Sequence, residues 1–258
     1  MIDMGRIICI TAGKDGAGKT TTAMNLSAAF AIAEKKSLLV DCDPIAHATT
    51  ALGVKGMQIK DSLFQGMTGK IEVDKLIIKK GPGFPDLIPG GSDLFRFPTG
   101  TVNNKEFILR NLLAEVKDQY DYIVIDAPQT PVILMINSFI AAESLFVTIP
   151  CEFLSLAGVG YLFGTFQMIK KGFGLYNNID RIILTKTDTR DKASVLIAKE
   201  LRRRFKNKIF ETAIPICAEL KDSPAYGKPV FLTDIKSAGA RSYLKLACEI
   251  MGQYQKDK

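Results

Sequence analysis

Residues 13–20 carry the most specific chemical pattern in the chain. They read GKDGAGKT and match the spacing GxxxxGK[ST], the Walker A pattern. Glycines let successive backbone N–H groups curl around phosphate oxygens, and the N-terminus of a following helix adds partial positive charge. The pattern therefore predicts a phosphate-binding loop between a strand and a helix.

The side chains at the end of this loop suit a nucleotide and its metal ion. Lys19 is expected to reach the β- and γ-phosphates, and the Thr20 hydroxyl is expected to ligate Mg²⁺. The Thr21 hydroxyl follows at a position from which it can reach the α-phosphate. We assign the whole stretch to the cofactor site: Gly13, Lys14, Asp15, Gly16, Ala17, Gly18, Lys19, Thr20 and Thr21.

Carboxylates follow two further apolar runs. Asp41 and Asp43 come after Leu38-Leu39-Val40, and Asp126 comes after Ile123-Val124-Ile125, which is a Walker B pattern. A magnesium–nucleotide site needs such groups to hold the metal and to orient an attacking water. Thr20, Asp43 and Asp126 are therefore our candidate metal-binding residues.

The elements that must position these residues are also visible in the sequence. Five apolar runs that do not alternate with polar residues predict strands covered on both faces, as in a parallel sheet; they are residues 7–10, 38–40, 122–125, 145–147 and 182–184. Helical patterns lie between them at 19–33, 154–170, 192–206 and 237–252, and Asn104 is expected to cap another helix with an apolar stripe from Ile108 to Val116. We predict an α/β P-loop fold: a mostly parallel, doubly wound central sheet flanked by helices.

Composition narrows the class of protein. No linker or repeat divides the 258 residues, so we expect residues 1–258 to form one domain. Five scattered cysteines without a CxxC pair argue against a disulfide framework, a zinc site or an iron–sulfur ATPase, and no secretory signal is visible. Residues 168–258 hold 19 Lys and Arg against 10 Asp and Glu, which indicates a polyanionic partner such as nucleic acid.

Six stretches together resemble one family, the ParA/Soj/MinD group of deviant Walker-A ATPases, and chiefly its ParA/Soj branch. The resemblance covers nearly the whole chain. The stretches are GKDGAGKTTTAMNLSAAFA, LLVDCDPIAHATTALG, YDYIVIDAPQT, CEFLSLAG, ILTKTDTR and SPAYGKPVFLTDIKSAGARSYLKLACEI.

The resemblance implies a cycle and gives roles to particular residues. Such proteins bind ATP with Mg²⁺, dimerise around two nucleotides, bind DNA without sequence specificity, and hydrolyse ATP when a ParB-like partner stimulates them. Lys14 occupies the position of the signature lysine that crosses to the partner subunit's phosphates. Asp43, before Pro44, matches the water-orienting aspartate, and Asp126 matches the Walker B aspartate. The resemblance thus assigns catalysis to Lys14, Lys19 and Asp43.

The resemblance also implies where the protein acts and what binds the base. We expect a cytoplasmic, nucleoid-associated protein that forms an ATP-dependent homodimer. The chain ends in MGQYQKDK without an apolar face, so membrane binding is not expected. Lys186, Asp188 and Pro215 are assigned to the nucleotide site. The segment Thr185-Lys186-Thr187-Asp188 also resembles the guanine-recognition motif of signal-recognition-type GTPases, which leaves a GTPase as an alternative.

Basic residues of the C-terminal third are the candidates for DNA contact. The family often carries I-P-R-N-x-R where this chain has Ile214 to Glu219, so two expected arginines are replaced. The remaining candidates are Arg202, Arg203, Arg204, Lys206, Lys228, Lys236 and Arg241.

Asp15 is the main departure within the phosphate loop, because the family has glycine there. A side chain at this position can crowd a subunit interface, and its charge opposes that of a γ-phosphate. Altered residues around 44–49 and 126–130 lie near the same site. These departures favour an alternative in which the protein binds nucleotide but dimerises poorly or hydrolyses it negligibly.

Replacing the aspartate tests this hypothesis. We expect Asp15→Gly to form more ATP-dependent dimer than the wild type, because the substitution removes both the side chain and its negative charge from the loop. Sedimentation of both proteins with and without ATP measures this. Equal dimer fractions at every protein concentration would contradict the hypothesis.

Overall fold

A single parallel sheet forms the centre of the molecule. The computed structural model describes residues 5–55, 59, 61–97, 104–153, 155–173 and 179–256. Six strands pair in the order β3-β2-β4-β1-β5-β6, and every pairing between them is parallel. They are β1 (Arg6–Ala12), β2 (Ser37–Asp41), β3 (Asp86–Ile88), β4 (Tyr122–Asp126), β5 (Ser144–Pro150) and β6 (Ile179–Thr185).

Both faces of the sheet are covered, as the continuous apolar runs predict. In β1, Ile7 and Cys9 join one core cluster, whereas Ile8 and Ile10 join the other. None of these four side chains is more than 4% exposed. A strand whose alternate residues both enter a core has no polar face, which is why the runs do not alternate.

Ten α-helices surround the sheet in the described part of the chain. They are α1 (Lys19–Ile32), α2 (His47–Ala51), α3 (Leu63–Met67), α4 (Val73–Leu76), α5 (Ile108–Ala114), α6 (Val132–Ala141), α7 (Ser155–Phe173), α8 (Lys192–Phe205), α9 (Ala218–Asp222) and α10 (Ala238–Lys256). Helices α1, α2 and α10 cover one face with residues such as Met24 and Tyr243, and α5 to α8 cover the other with residues such as Leu134 and Phe166. Among the described residues, no helix is both long and apolar enough to cross a membrane.

The predicted fold class is confirmed, and the elements differ from the predictions mainly at their ends. All five predicted strands lie inside observed strands, and the helix predicted from residue 19 begins there. Residue 154, the predicted start of α7, lies outside the described residues. The sequence prediction missed β3, whose three residues are too few to give a pattern, and the short helices α2, α3, α4 and α9. That residues 1–258 form one domain stays a prediction.

The predicted cap of α5 was wrong. Asn104 has a left-handed backbone (φ 57°) and starts a 3₁₀ turn at residues 105–107, and its side chain caps nothing. Instead, Asn137 of α6 accepts a hydrogen bond from the Leu109 N–H at 3.0 Å. Its amide also donates to the carbonyls of Lys105 and Ile133 at 3.0 and 2.9 Å. A fully buried side chain from another helix therefore fixes the start of α5.

Removing this buried amide should destabilise the protein. We expect Asn137→Leu to lower the free energy of unfolding by about 2–3 kcal/mol, because it leaves the buried Leu109 N–H without its partner and removes the donor to the Lys105 carbonyl. Asn104→Gly is the matched control, because its left-handed backbone suits glycine and its side chain caps nothing. Urea unfolding measures both, and an equal loss in the two variants would contradict this account of the cap.

Candidate nucleotide-binding site

The phosphate loop connects the central strand β1 to α1. Gly16 and Gly18 have φ of 69° and 82°, a region that side-chain-bearing residues rarely adopt. A Cβ at Gly16 would meet nothing within 4 Å, so the need for glycine there is conformational and not steric. In the part of the chain that the structure describes, no side chain caps α1, whose first N–H groups face the loop. The Thr185 hydroxyl of β6 donates to the Ala17 carbonyl at 2.8 Å, so that the end of β6 also holds the loop.

Asp126 is the buried centre of the site. Its two carboxylate oxygens accept from the Lys19 ammonium at 2.8 Å and from the Thr20 hydroxyl at 2.7 Å. Burial alone would lower the pKa of Lys19, but the charge and hydrogen bond of Asp126 outweigh it and raise that pKa. Lys19 therefore keeps its positive charge at neutral pH, at the end of the loop where phosphate is expected.

A second buried carboxylate, Asp41, is held beside Asp126 by strand register. The two residues are direct partners where β2 pairs with β4. Burial, and then the neighbouring charge of Asp126, raises the pKa of Asp41 to about 7, although hydrogen bonds from Thr49 oppose the shift. Both the N–H and the hydroxyl of Thr49 donate to one Asp41 oxygen at 2.7 Å.

Asp41 also positions the segment that carries Asp43. Its other oxygen accepts from the Asp43 N–H at 3.1 Å, and the Asp43 carboxylate in turn accepts from the Ile45 N–H at 2.9 Å. The Thr49 hydroxyl accepts from the Gly90 N–H at 2.9 Å. A Cβ at residue 90 would lie 2.9 Å from the Asp41 carboxyl carbon, so glycine permits this close approach.

These side chains line or adjoin a cavity of about 820 Å³. That volume matches sites for ligands the size of a nucleotide. Of the predicted residues, Lys14 to Thr21, Asp43, Lys186 and Pro215 line it, and the buried Asp126 lies directly behind Lys19 and Thr20. The sequence prediction did not assign several further lining residues: Ile45, His47, Gln129, Glu152, Ile214, Ile216, Cys217, Leu220, Lys221 and Tyr243.

Two of the predicted nucleotide contacts, Gly13 and Asp188, do not line the cavity. The Asp188 carboxylate accepts from the Arg190 side chain at 3.0 and 2.9 Å and from the Arg190 N–H at 2.9 Å. The hydrogen bonds from Arg190 lower the pKa of Asp188 to about 2. Arg190 thus occupies three of the acceptor positions on the Asp188 carboxylate.

Glu152 is a site residue that the sequence prediction missed. Its carboxylate accepts from the Lys14 ammonium at 2.6 Å and from the Lys186 ammonium at 3.0 Å. Hydrogen bonds from Lys14, and then from Lys186, lower the pKa of Glu152. Lys14 thus lies at the rim of its own cavity, paired within its own chain. The stretch CEFLSLAG contains Glu152, but its partners are too distant along the chain for a local pattern to indicate the pairing.

The candidate DNA-binding residues fall into two groups. At the end of α8, Arg202 donates to the carbonyls of Phe210 and Glu211, and Arg203 pairs with Glu200 at 2.7 Å. Arg204 and Lys206 are exposed beside them. The other group comprises Lys228, Lys236 and Arg241, all exposed, with Arg241 donating to the Lys236 carbonyl at 2.5 Å.

Sheet order, phosphate loop and Walker B carboxylate define a P-loop nucleoside triphosphatase fold. A family model described as "AAA domain" matches residues 5–180. The chromosome partitioning protein ParA of Myxococcus xanthus is 37% identical over 250 residues, which cover 96% of this chain and 88% of that protein. The sporulation initiation inhibitor protein Soj of Bacillus subtilis is 34% identical, covering 96% and 98%.

A solved structure agrees with these relatives. The septum site-determining protein MinD of Pyrococcus horikoshii, complexed with Mg-ADP, superposes with a TM-score of 0.78 at 25% identity and 96% coverage of both chains. This chain belongs to the ParA/Soj/MinD family, and the two curated relatives above are ParA and Soj proteins. The resemblance seen in the six sequence stretches is confirmed.

The Thr49 hydroxyl should matter to the stability of the site. Thr49→Val removes the hydroxyl's hydrogen bonds with Asp41 and Gly90 while keeping the side-chain shape and the N–H bond to Asp41, so we expect a loss of about 1–3 kcal/mol in the free energy of unfolding. Thr50→Val, on the exposed side of the same helix, should change it by less than about 0.5 kcal/mol.

The loss should also depend on pH. A carboxyl group whose pKa is higher in the folded than in the unfolded protein makes the protein less stable as the pH rises. The loss of stability begins near the pKa of the group in the unfolded protein, about 4, and grows as the pH approaches its pKa in the folded protein. Since the Thr49 hydrogen bonds lower the pKa of Asp41, the cost of Thr49→Val should be larger at pH 7 than at pH 4.5. Urea unfolding at both pH values measures this, and a constant cost would refute the assigned cause.

Proposed function

We propose that this protein binds ATP with Mg²⁺ and hydrolyses it, and that the nucleotide switches it between monomer and homodimer to partition or position DNA or another cargo. The observation that carries the proposal is the Lys19–Asp126–Thr20 cluster at the end of a glycine loop, beside a cavity of nucleotide size. The names of the relatives support partitioning: one is a chromosome partitioning protein.

The residues present fit a triphosphate and a magnesium ion. Lys19 and the first N–H groups of α1 would bind the phosphates. Thr20, Asp43 and Asp126 offer the oxygen ligands that Mg²⁺ prefers, and the Thr20 hydroxyl lies 2.7 Å from an Asp126 oxygen. Bound Mg²⁺ would neutralise charge on the phosphate oxygens.

Asp43 would orient the attacking water. That water forms a bond to the γ-phosphorus while the bond from this phosphorus to the leaving oxygen of ADP breaks. Asp43 suits this role because Asp41 and the Ile45 N–H fix the backbone and carboxylate at the mouth of the site. The shell behind Asp43 supplies the positional precision that such a group needs.

Lys14 would stabilise charge on the γ-phosphoryl group of the partner subunit. In the single chain it pairs with Glu152, so dimerisation would exchange that carboxylate for phosphate. A cation brought to the transferring phosphoryl group acts like an arginine finger. A ParB-like activator would then stimulate hydrolysis by increasing the fraction of molecules in which Lys14 has separated from Glu152.

DNA binding and a ParB-like activator complete the proposal. The excess of basic residues after position 168 supports a polyanion partner. Arg204, Lys206, Lys228 and Lys236 are the best candidates, because Arg202, Arg203 and Arg241 already hold groups of their own chain. Binding to the chromosome would make the protein nucleoid-associated.

Two alternative functions rest on particular observations. Asp15 is exposed at the mouth of the cavity, where its charge supports a regulatory protein that binds nucleotide but dimerises or hydrolyses poorly. A GTPase rests only on the TKTD segment, and the bidentate pair of Asp188 with Arg190 disfavours it.

Turnover measurements on a lysine variant test the proposal. We expect Lys14→Gln to bind ATP within about threefold of the wild type but to lose about 100-fold or more in DNA- and partner-stimulated hydrolysis, since its charge acts only on the developing transition state. The charge-matched control is Lys75→Gln, which changes an exposed lysine of α4 that pairs with Glu72.

Stimulation of hydrolysis by DNA should weaken as the salt concentration rises from about 50 to 200 mM. ATP binding without measurable turnover under any condition would favour the regulatory alternative.

A further inference from the structure

Several polar residues line the nucleotide cavity without an assigned contact to the nucleotide. They include His47, Gln129, Glu152, Cys217 and Lys221. Glu152 already accepts from two lysines, and the Cys217 thiol donates to the Glu219 carboxylate at 2.7 Å. His47 and Lys221 are exposed, whereas Gln129 is only partly exposed and carries a neutral amide. Gln129 is therefore the lining residue whose role most needs an explanation.

Strand order places Gln129 at the phosphate end of the cavity. Asp126, at the end of β4, holds Lys19 and Thr20, so the terminal phosphate is expected on this side of the site. The residues assigned to the base, Lys186 and Pro215, come after β6, which lies on the other side of β1 in the sheet. Gln129 follows Asp126 by three residues and lines the cavity from the β4 side.

The backbone that leads to Gln129 is held on both sides. The Cys42 N–H donates to the Asp126 carbonyl at 3.2 Å, and the Ala127 N–H donates to a carbonyl of β1 at 3.2 Å. Pro128 is buried, and its ring fixes its own φ. Gln129 is the first residue after β4 that is not buried. Its side chain therefore starts from a fixed point where the strand ends.

The amide of Gln129 is available to a ligand. In the described part of the chain its side chain has no hydrogen-bond partner, and neither of its polar atoms is closed off from solvent. By contrast, the amide of Gln119 donates to Asp74 at 3.1 Å. A free amide offers both a donor and an acceptor, whereas an ionised carboxylate such as Asp43 offers only acceptors.

Asp43 lines the same end of the cavity from the neighbouring strand. Asp41 and Asp126 are direct partners where β2 pairs with β4. Asp43 follows the first of them by two residues, and Gln129 follows the second by three. A carboxylate and an amide thus line the cavity from adjacent strand ends, on the side where the terminal phosphate is expected.

We propose that Gln129 is a further catalytic residue for the hydrolysis of ATP. Its amide N–H donates to an oxygen of the γ-phosphoryl group, and its carbonyl accepts one hydrogen of the attacking water while Asp43 accepts the other. Two acceptors fix the water so that its lone pair points at phosphorus. This inference rests on the proposed function, because it assigns a second residue to the same reaction.

The step balances without a further reactant. The water oxygen forms a bond to the γ-phosphorus while the bond from this phosphorus to the leaving oxygen of ADP breaks. Asp43 takes up one proton of the water and passes it to the released phosphate. The neutral amide of Gln129 exchanges no proton and adds no negative charge beside the γ-phosphoryl group.

Nucleotide affinity with and without a γ-phosphoryl group tests the phosphate contact. We expect Gln129→Leu to bind Mg-ADP within about twofold of the wild type but the non-hydrolysable ATP analogue AMPPNP about fivefold or more weakly, because it loses a hydrogen bond to a charged oxygen. Gln129→Glu should weaken AMPPNP further, because a carboxylate repels the phosphate. Calorimetric titration of the full-length protein measures both ligands. A solvated turn residue without a ligand contact would give no difference between them.

Turnover measurements test the water contact. We expect Gln129→Leu to lower kcat by about 10- to 100-fold with a smaller change in KM, because orientation of the water matters most in the transition state. The matched control is Gln119→Leu, which removes an exposed amide outside this cavity and should leave kcat and both affinities within about twofold. Thermal unfolding should show that all variants are folded, and Gln129→Glu decides if Gln129→Leu is not.

The outcomes separate this proposal from the proposed function. Equal weakening of ADP and AMPPNP in Gln129→Leu would overturn the proposal, and so would wild-type kcat and AMPPNP affinity in that variant. A wild type that binds ATP without turnover would refute the proposed hydrolysis and with it the role of Gln129 towards water. A selective loss of AMPPNP affinity in Gln129→Leu would still support its contact with the γ-phosphoryl group in that case.

Discussion

The buried carboxylate of Asp126 connects the sheet to the phosphate loop. It ends β4, has no exposure to solvent, and is compensated by one ammonium and one hydroxyl from the first turn of α1. A buried charge without such partners would be very costly, so the position of α1 relative to β4 is tightly constrained. The lysine and threonine that this arrangement fixes are the groups that a nucleotide would need.

Asp126 also affects the protonation of the neighbouring carboxyl group, that of Asp41. Register places the two residues side by side, and burial, followed by the negative charge of Asp126, raises the pKa of Asp41. Asp41 is tolerated because Thr49 and the Asp43 N–H donate to it. The second buried carboxyl is unfavourable by itself, but its hydrogen bond with the Asp43 N–H fixes the segment that carries Asp43. This is a supporting shell behind the site, built from residues with no direct contact to a ligand.

The ion pairs at the rim of the site differ from the buried pair of Lys19 with Asp126. At the rim, Glu152 pairs with Lys14 and Lys186, and both lysines are partly exposed, so water weakens these pairs. A weak pair would suit the movement that we propose for Lys14, whereas the buried pair with Asp126 holds Lys19 in place.

The sequence by itself determined the phosphate loop, the strands covered on both faces and the family. Each depends on local rules: glycine at positive φ in the loop, and apolar runs without alternation in the strands. Only the tertiary structure decided the contacts between distant residues. Strand order and register brought Asp41 beside Asp126, Glu152 reached Lys14 from 138 positions away, and Asn137 took the capping role predicted for Asn104. It also placed Asp188 outside the cavity, where this residue pairs locally with Arg190. The physical reason is that local conformation follows from steric limits within a few residues, whereas these contacts depend on how whole strands and helices pack.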